Sequence, residues 1–234
     1  MYSIIIIIAI LILFAFLIWA SADIGSNVYI KTICKAENAG KTVSLTFDDG
    51  PDPTMTPRVL DILQKYNIKA TFFVIGSKAF DYPDVLKRIY EEGHIIGNHS
   101  ALHLAGFTVI GKNDVIENLQ LFDRVIDMLI WKKPRLFRPP FGVTNPPIAK
   151  AVKEMDRITI GWSIRSLDTK RWRSRNAICK RVINRLHDGA IILLHDRCKD
   201  ADVLLDNIIK QIYEKGYDIK PLDEMLKIEN VYED

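Results

Sequence analysis

Residues 41–50 read Lys41-Thr42-Val43-Ser44-Leu45-Thr46-Phe47-Asp48-Asp49-Gly50. Val43, Leu45 and Phe47 alternate with Thr42, Ser44 and Thr46, which is the period of a buried strand. Two carboxylates stand where that strand runs out, and Gly50-Pro51 turns the chain away. Successive strand residues point to opposite sides, so Asp48 and Asp49 can share a site only where the strand has already bent. One carboxylate could then hold a metal while its neighbour takes a proton. The same residues also spell an ordinary turn, because Asp-Gly before Pro is common punctuation. The rest of the chain has to decide between the two.

Outward from this stretch, strands and helices alternate to the end. Further strands are expected at 70–75, 94–97, 136–138, 157–162, 190–194 and 218–220. Helices are expected at 55–66, 83–92, 113–131, 147–155, 176–187, 201–215 and 222–228. The longest carries Val115, Leu119, Phe122, Val125, Ile126 and Leu129 on one stripe, and Pro134 forbids its continuation. Seven strands alternating with helices imply a parallel sheet with crossovers. Asp48, His99, Arg138, Asp168 and His195 all fall just after strands, on the one face where a parallel barrel builds its sites. A doubly wound open sheet is the alternative. No glycine-rich phosphate loop follows the first strand, which weakens the nucleotide-binding version.

The 234 residues suffice for one domain with a sizeable core, and 26% charged residues argue against disorder. A net charge of +3 is too small to imply nucleic acid. Ile4 to Ala22 carries no charge and is long enough to span a membrane. Ala20-Ser21-Ala22 has the small-x-small form of a signal-peptidase site. Residues 1–22 are therefore a signal anchor or signal peptide, with the anchor favoured by the length of the apolar run. Either places the remainder outside the cytoplasm, membrane-anchored or secreted. Residues 23–40 read as a connector and 41–230 as the catalytic domain. Cys34, Cys179 and Cys198 fit no zinc spacing, and an odd number leaves at least one unpaired. Cys34 could pair with Cys179 or Cys198, and buried free thiols are an equal reading.

His99-Ser100-Ala101-Leu102-His103 sets two imidazoles four apart, which on a helical turn would face one metal. Asp48 or Asp49 would complete a two-histidine, one-carboxylate set. His195 closes the apolar run Ile191 to Leu194 and is suited to proton transfer near neutral pH. Arg138-Pro139-Pro140-Phe141-Gly142 joins a fixed cation to a stiff backbone. The first amide after the prolines, at Phe141, could be presented to an oxyanion, and Arg138 could orient a carboxylate such as Asp48.

Together these motifs resemble the polysaccharide deacetylases, the NodB-like carbohydrate esterases. Thr46 to Gly50, His99 to His103, Arg138 to Gly142 and Leu193-Leu194-His195 match four of that family's motifs, and the resemblance covers about 42–228. It implies a distorted (β/α)7 barrel, here preceded by an N-terminal hydrophobic helix. It implies Asp48 as general base, Asp49, His99 and His103 as metal ligands, and His195 as general acid. The metal is most often zinc, with cobalt, nickel or manganese possible. Arg138 is similar to the arginine that positions the base, and Asp168 to the carboxylate that tunes the acid. Pro139, Phe141, Trp162 and Leu193 are similar to residues lining the substrate pocket. A further motif departs from the family: Thr169 stands where a Trp is usual after the Asp, and Trp172 is a candidate to supply that ring.

The resemblance implies removal of N-acetyl groups from N-acetylglucosamine polymers, with peptidoglycan favoured for a wall-facing anchored protein. A chitooligosaccharide deacetylase, an O-acetyl xylan esterase and a catalytically silent glycan-binding module are the alternatives. Between Arg157 and Lys199 stand eleven Lys or Arg against three Asp, densest at 170–175. That cluster is either a solvated face or a contact for an anionic glycan or lipid head groups.

Overall fold

The computed structural model describes residues 2–170 and 172–233. In chain order they form α1 (Tyr2–Ala22), β1 (Thr42–Asp48), α2 (Met55–Lys65), β2 (Thr71–Val74), α3 (Gly76–Asp81), α4 (Pro83–Glu91) and β3 (Ile95–Asn98). There follow α5 (Lys112–Ile130), β4 (Lys133–Pro134), β5 (Leu136–Phe137), α6 (Pro146–Glu154), β6 (Ile158–Thr159), β7 (Ile164–Arg165) and α7 (Arg175–Ile183). The last are β8 (Ala190–His195), α8 (Ala201–Glu214), β9 (Asp218–Ile219), α9 (Leu222–Leu226) and β10 (Tyr232–Glu233).

The main sheet has the order β6-β5-β3-β2-β1-β8-β7, with β9 beside the start of β1, and its pairings are parallel. It curls into the expected distorted barrel with helices outside. β1 lies at its centre because both faces are apolar or satisfied: Val43, Leu45 and Phe47 are buried, and Phe47 stacks on Phe72 at 4.9 Å. Between them, the Ser44 and Thr46 hydroxyls donate to the carbonyls of Lys220 and Ile192. The stripe Val115, Leu119, Phe122 and Ile126 buries α5 against the barrel, and the helix ends where Trp131 takes a left-handed conformation (φ 56°).

Three features differ from the sequence expectation. First, the strand expected over 157–162 shortens to β6, and β7 follows beyond its expected end. Second, β4 and β10 form a separate antiparallel pair too short to leave a periodic signal. Third, residues 32–36 do not lie free of the barrel. The Ile33 amide donates to the Thr159 carbonyl, the Gly161 amide to Ile33, and the Ala36 amide to Gly189. This segment joins the β6 edge to the start of β8.

α1 is exposed and apolar on every side, and is long and apolar enough to cross a membrane. Its last turn is docked: the Thr144 amide donates to the Ser21 carbonyl at 3.0 Å, and the Ser26 hydroxyl to the Ala20 carbonyl at 2.8 Å. Cys34, Cys179 and Cys198 are all free thiols, so neither sequence-allowed disulfide is formed.

Candidate active site

The site is assembled at the C-terminal ends of β1, β3, β5 and β8. Asp48 ends β1, and Asp49 has a left-handed backbone (φ 71°). That one residue resolves the parity problem of adjacent strand positions, because it turns the second carboxylate back to the side of the first. The Asp49 carbonyl is held there by Lys78 at 2.7 Å. Gly50 follows because a Cβ at this position would sit 2.2 Å from Asp196 Oδ2.

His99 and His103 do not lie on a helix. They flank a loop in which Ser100 and His103 both have positive φ, and the loop is fastened by its own polar groups. The Asn98 side chain accepts from the Ser100 amide at 2.8 Å, and the Ser100 hydroxyl from the His103 amide at 2.9 Å. The two rings still converge, with centroids 4.8 Å apart. His99 Nε2 lies 3.5 Å and His103 Nε2 3.4 Å from Asp49 Oδ1. His99 Nδ1 lies 2.8 Å from the Arg138 carbonyl, which can only accept, so Nδ1 carries the proton and Nε2 presents its lone pair. One carboxylate oxygen and two imidazole nitrogens within 4.8 Å of one another form a donor set that fits a divalent cation.

Arg138 is fully buried. Its Nη1 donates to Asp48 Oδ1 at 2.6 Å and to the Thr46 hydroxyl at 2.9 Å. Nε and Nη2 donate to the carbonyls of Ile160 and Gly161, and the guanidinium lies 4.1 Å from the Phe73 ring centroid. Burial presses its pKa down, opposed by the Asp48 charge. With Oδ1 so occupied, Asp48 Oδ2 faces the pocket, 3.8 Å from His99 Nε2.

Opposite stands His195 at the end of β8. Its Nδ1 lies 2.7 Å from Asp168 Oδ1, and its amide donates to Asp168 Oδ2, also at 2.7 Å. Burial pushes the imidazole pKa down, but the hydrogen bond and charge of Asp168 outweigh it, so the net shift is upward. His195 Nε2 faces Asp49 Oδ2 at 3.9 Å. The pocket between these groups measures about 180 Å³ and is also lined by Phe141, Trp162, Thr169 and Leu193. Phe141 is half exposed and leans on His103 at 4.6 Å. Gly142 makes room for Trp162, whose ring a Cβ would meet at 2.5 Å. Pro139 sits behind, its carbonyl accepting from the Gly142 amide at 3.0 Å.

Trp172 does not supply the missing ring. It is 75% exposed and packs under Arg173, and Thr169 lines the pocket instead. Arg197 escaped the sequence reading. Its Nε donates to Asp49 Oδ2 at 2.9 Å, which leaves Oδ1 for the histidine side. Its position two residues after His195, in a strand-end loop, was the available signal. His94, by contrast, is a structural histidine whose Nδ1 accepts from the Ala70 amide at 3.1 Å.

A curled parallel barrel with a carboxylate–histidine metal-type centre at its strand ends defines the class. Comparison with known proteins narrows it. Residues 35–159 match the polysaccharide deacetylase family, and the chain belongs to that family. It is 35% identical over 198 residues to a peptidoglycan-N-acetylglucosamine deacetylase of Bacillus cereus, covering 81% of this chain and 90% of that protein. It is 36% identical over 202 residues to the peptidoglycan-N-acetylglucosamine deacetylase PgdA of Listeria monocytogenes, covering 86% of this chain. The aligned part spans only 42% of the Listeria protein. The crystal structure of the Bc1960 peptidoglycan N-acetylglucosamine deacetylase superposes with a TM-score of 0.78 at 30% identity, over 84% of this chain and 92% of that one.

Proposed function

We propose that this protein is a metal-dependent N-deacetylase of N-acetylglucosamine-containing polysaccharide, most readily peptidoglycan. It would be held at the outer face of a membrane by residues 1–22, with 23–40 as a connecting segment whose residues 32–36 pair with the barrel, and 41–230 as catalytic domain. The observation that carries this reading is the opposition of two proton-transfer groups, Asp48 and His195, across one pocket floored by Asp49, His99 and His103. The activities of the similar proteins agree with it.

Asp49, His99 and His103 would hold the metal, zinc by the choice of donors. When bound, that ion supplies Lewis-acid polarisation of the acyl carbonyl and of water. Asp48 Oδ2, aimed into the pocket by Arg138, accepts the proton of the attacking water. The Phe141 amide is the backbone donor available to the developing oxyanion. His195 gives its proton to the amine as the C–N bond breaks, and Asp168 keeps the imidazole in the protonated, correctly turned form. Leu193 and Trp162 enclose the acetyl group. Acetate and a free amino sugar leave.

The test is acetate release by the full-length chain in detergent, after chelation and zinc return, on peptidoglycan fragments, chitooligosaccharides and acetylated xylan. Zinc-restored release from the first, abolished in Asp48→Asn, is the expected result. Release only from xylan would make the protein an O-acetyl esterase. Glycan binding without any release would make it a binding module.

A further inference from the structure

A second cavity of about 640 Å³ adjoins the catalytic pocket, and Thr169 and Arg197 line both. Its wall carries five cations, Lys170, Arg173, Arg175, Arg197 and Lys199, against two carboxylates, Asp168 and Asp200. Both carboxylates are engaged. Asp168 holds His195, and Asp200 holds Arg175. Arg197 is taken by Asp49. Lys170, Arg173 and Lys199 have no carboxylate partner among the described residues. Arg173 Nε is also buried without a hydrogen-bond acceptor. Cys198 adds no negative charge, since burial and the Asp168 charge push its thiol up to about 12.

The backbone reinforces the side chains. Arg175 and Ala201, the first residues of α7 and α8, both line the cavity; α7 is capped by Ser174, whose hydroxyl accepts from the Ala177 amide at 3.2 Å, and α8 has no such side-chain cap. Helix N-termini carry partial positive charge. At α8 the cap residue Asp200 gives its carboxylate to Arg175 and makes no side-chain bond to the helix amides. A walled, positively charged space of this kind attracts an anion.

We propose that this cavity is a subsite for a carboxylate carried by the same glycan whose acetylated sugar occupies the catalytic pocket, on a neighbouring sugar or its peptide. The proposal rests on the deacetylase reading and names what part of the polymer lies next to the reacting sugar. A glycan carboxylate fits better than a lipid head group. The two cavities share walls at Thr169 and Arg197, so a chain that fills the catalytic pocket runs directly into this one. Peptidoglycan supplies such carboxylates at regular spacing along each strand, and chitin supplies none.

The experiment uses the full-length chain in zwitterionic-lipid nanodiscs and two versions of one peptidoglycan fragment, with carboxylates free or converted to methylamides. Wild type should show a KM about tenfold lower for the free acid, and the gap should narrow as salt rises. The Lys170→Gln/Arg173→Gln/Lys199→Gln variant should raise KM for the free acid to the value of the amide, with kcat unchanged on both. The Lys170→Gln/Lys199→Gln variant, confined to two exposed side chains, guards against misfolding and should shift KM in the same direction by less. Equal wild-type KM values for the two fragments would overturn the proposal. So would a rise shared by both fragments, or a KM effect that appears only when anionic lipid is added to the discs. If wild type releases acetate from neither fragment, the deacetylase reading falls first and this proposal with it.

Discussion

Arg138 and Arg157 each hold an aspartate at 2.6 Å, and each pair is removed from solvent. Their surroundings differ. Every donor nitrogen of Arg138 has an oxygen to bond, and its Asp48 partner keeps one oxygen turned into open space. Arg157 divides itself between Asp123 on α5, the Pro134 carbonyl and Glu233 on β10, and its Nε is left buried without a partner. Asp123 is in turn pushed up to about 6 by burial, against the pull of Arg157. The first pair aims a carboxylate. The second ties three segments together at the wall of a separate surface cavity, which Asp123, Arg157 and Glu233 line and which holds no histidine. A buried ion pair beside a cavity is therefore a sign of catalysis only when that cavity also gathers proton-transfer and metal-type groups, as the cavity at Asp48 does with Asp49, His99, His103 and His195.

The sharpest way to break this contrast is a matched pair of neutralisations. Asp48→Asn should lower the rate of acetate release about 10³-fold, as expected for loss of a general base, while Asp123→Asn should leave kcat within about twofold of wild type. Comparable losses in both would mean that the Asp123 pair reaches the chemistry. Next comes Arg157→Leu, which leaves the Asp123 carboxyl buried without its cation and should cost about 3 kcal/mol of stability by urea midpoint. Its kcat/KM, measured on the remaining folded protein, should be unchanged.

The smallest effect lies on the acid side. Asp168 raises the pKa of His195, so the imidazole stays protonated to higher pH than an isolated histidine. Asp168→Asn removes that support and should move the alkaline limb of the pH–rate profile to lower pH. A limb that stays in place would assign it to a group other than His195.

Much of this contrast was legible in the sequence, and the rest was hidden for local reasons. Arg138 announces itself by standing before two prolines at a strand end, and the alternation of residues 42–47 places β1. Arg157 gives no such sign, because its partners lie 34 and 76 residues away on elements without strong periodicity. The His99–His103 spacing suggested a helical turn. Positive φ at Ser100 and His103 reached the same convergence by a route that no period encodes. Asp49 is similar: its left-handed backbone, held by Lys78, makes both carboxylates useful, and backbone hand at a non-glycine residue is decided by tertiary contacts. The segment 32–36 looked like a linker because a strand supported on two edges by single bridges needs no alternating pattern.

The docking of α1 bears on reach. A rod of 21 residues is about 31 Å long, and its end is fastened to the barrel at Thr144 rather than joined by a free leash. In the anchored reading proposed above, the barrel is a fixed fitting on the membrane. Its pocket sweeps a thin layer at constant height as the protein diffuses laterally. In that reading the glycan within reach is the layer next to the membrane, and strands farther out lie beyond its working distance.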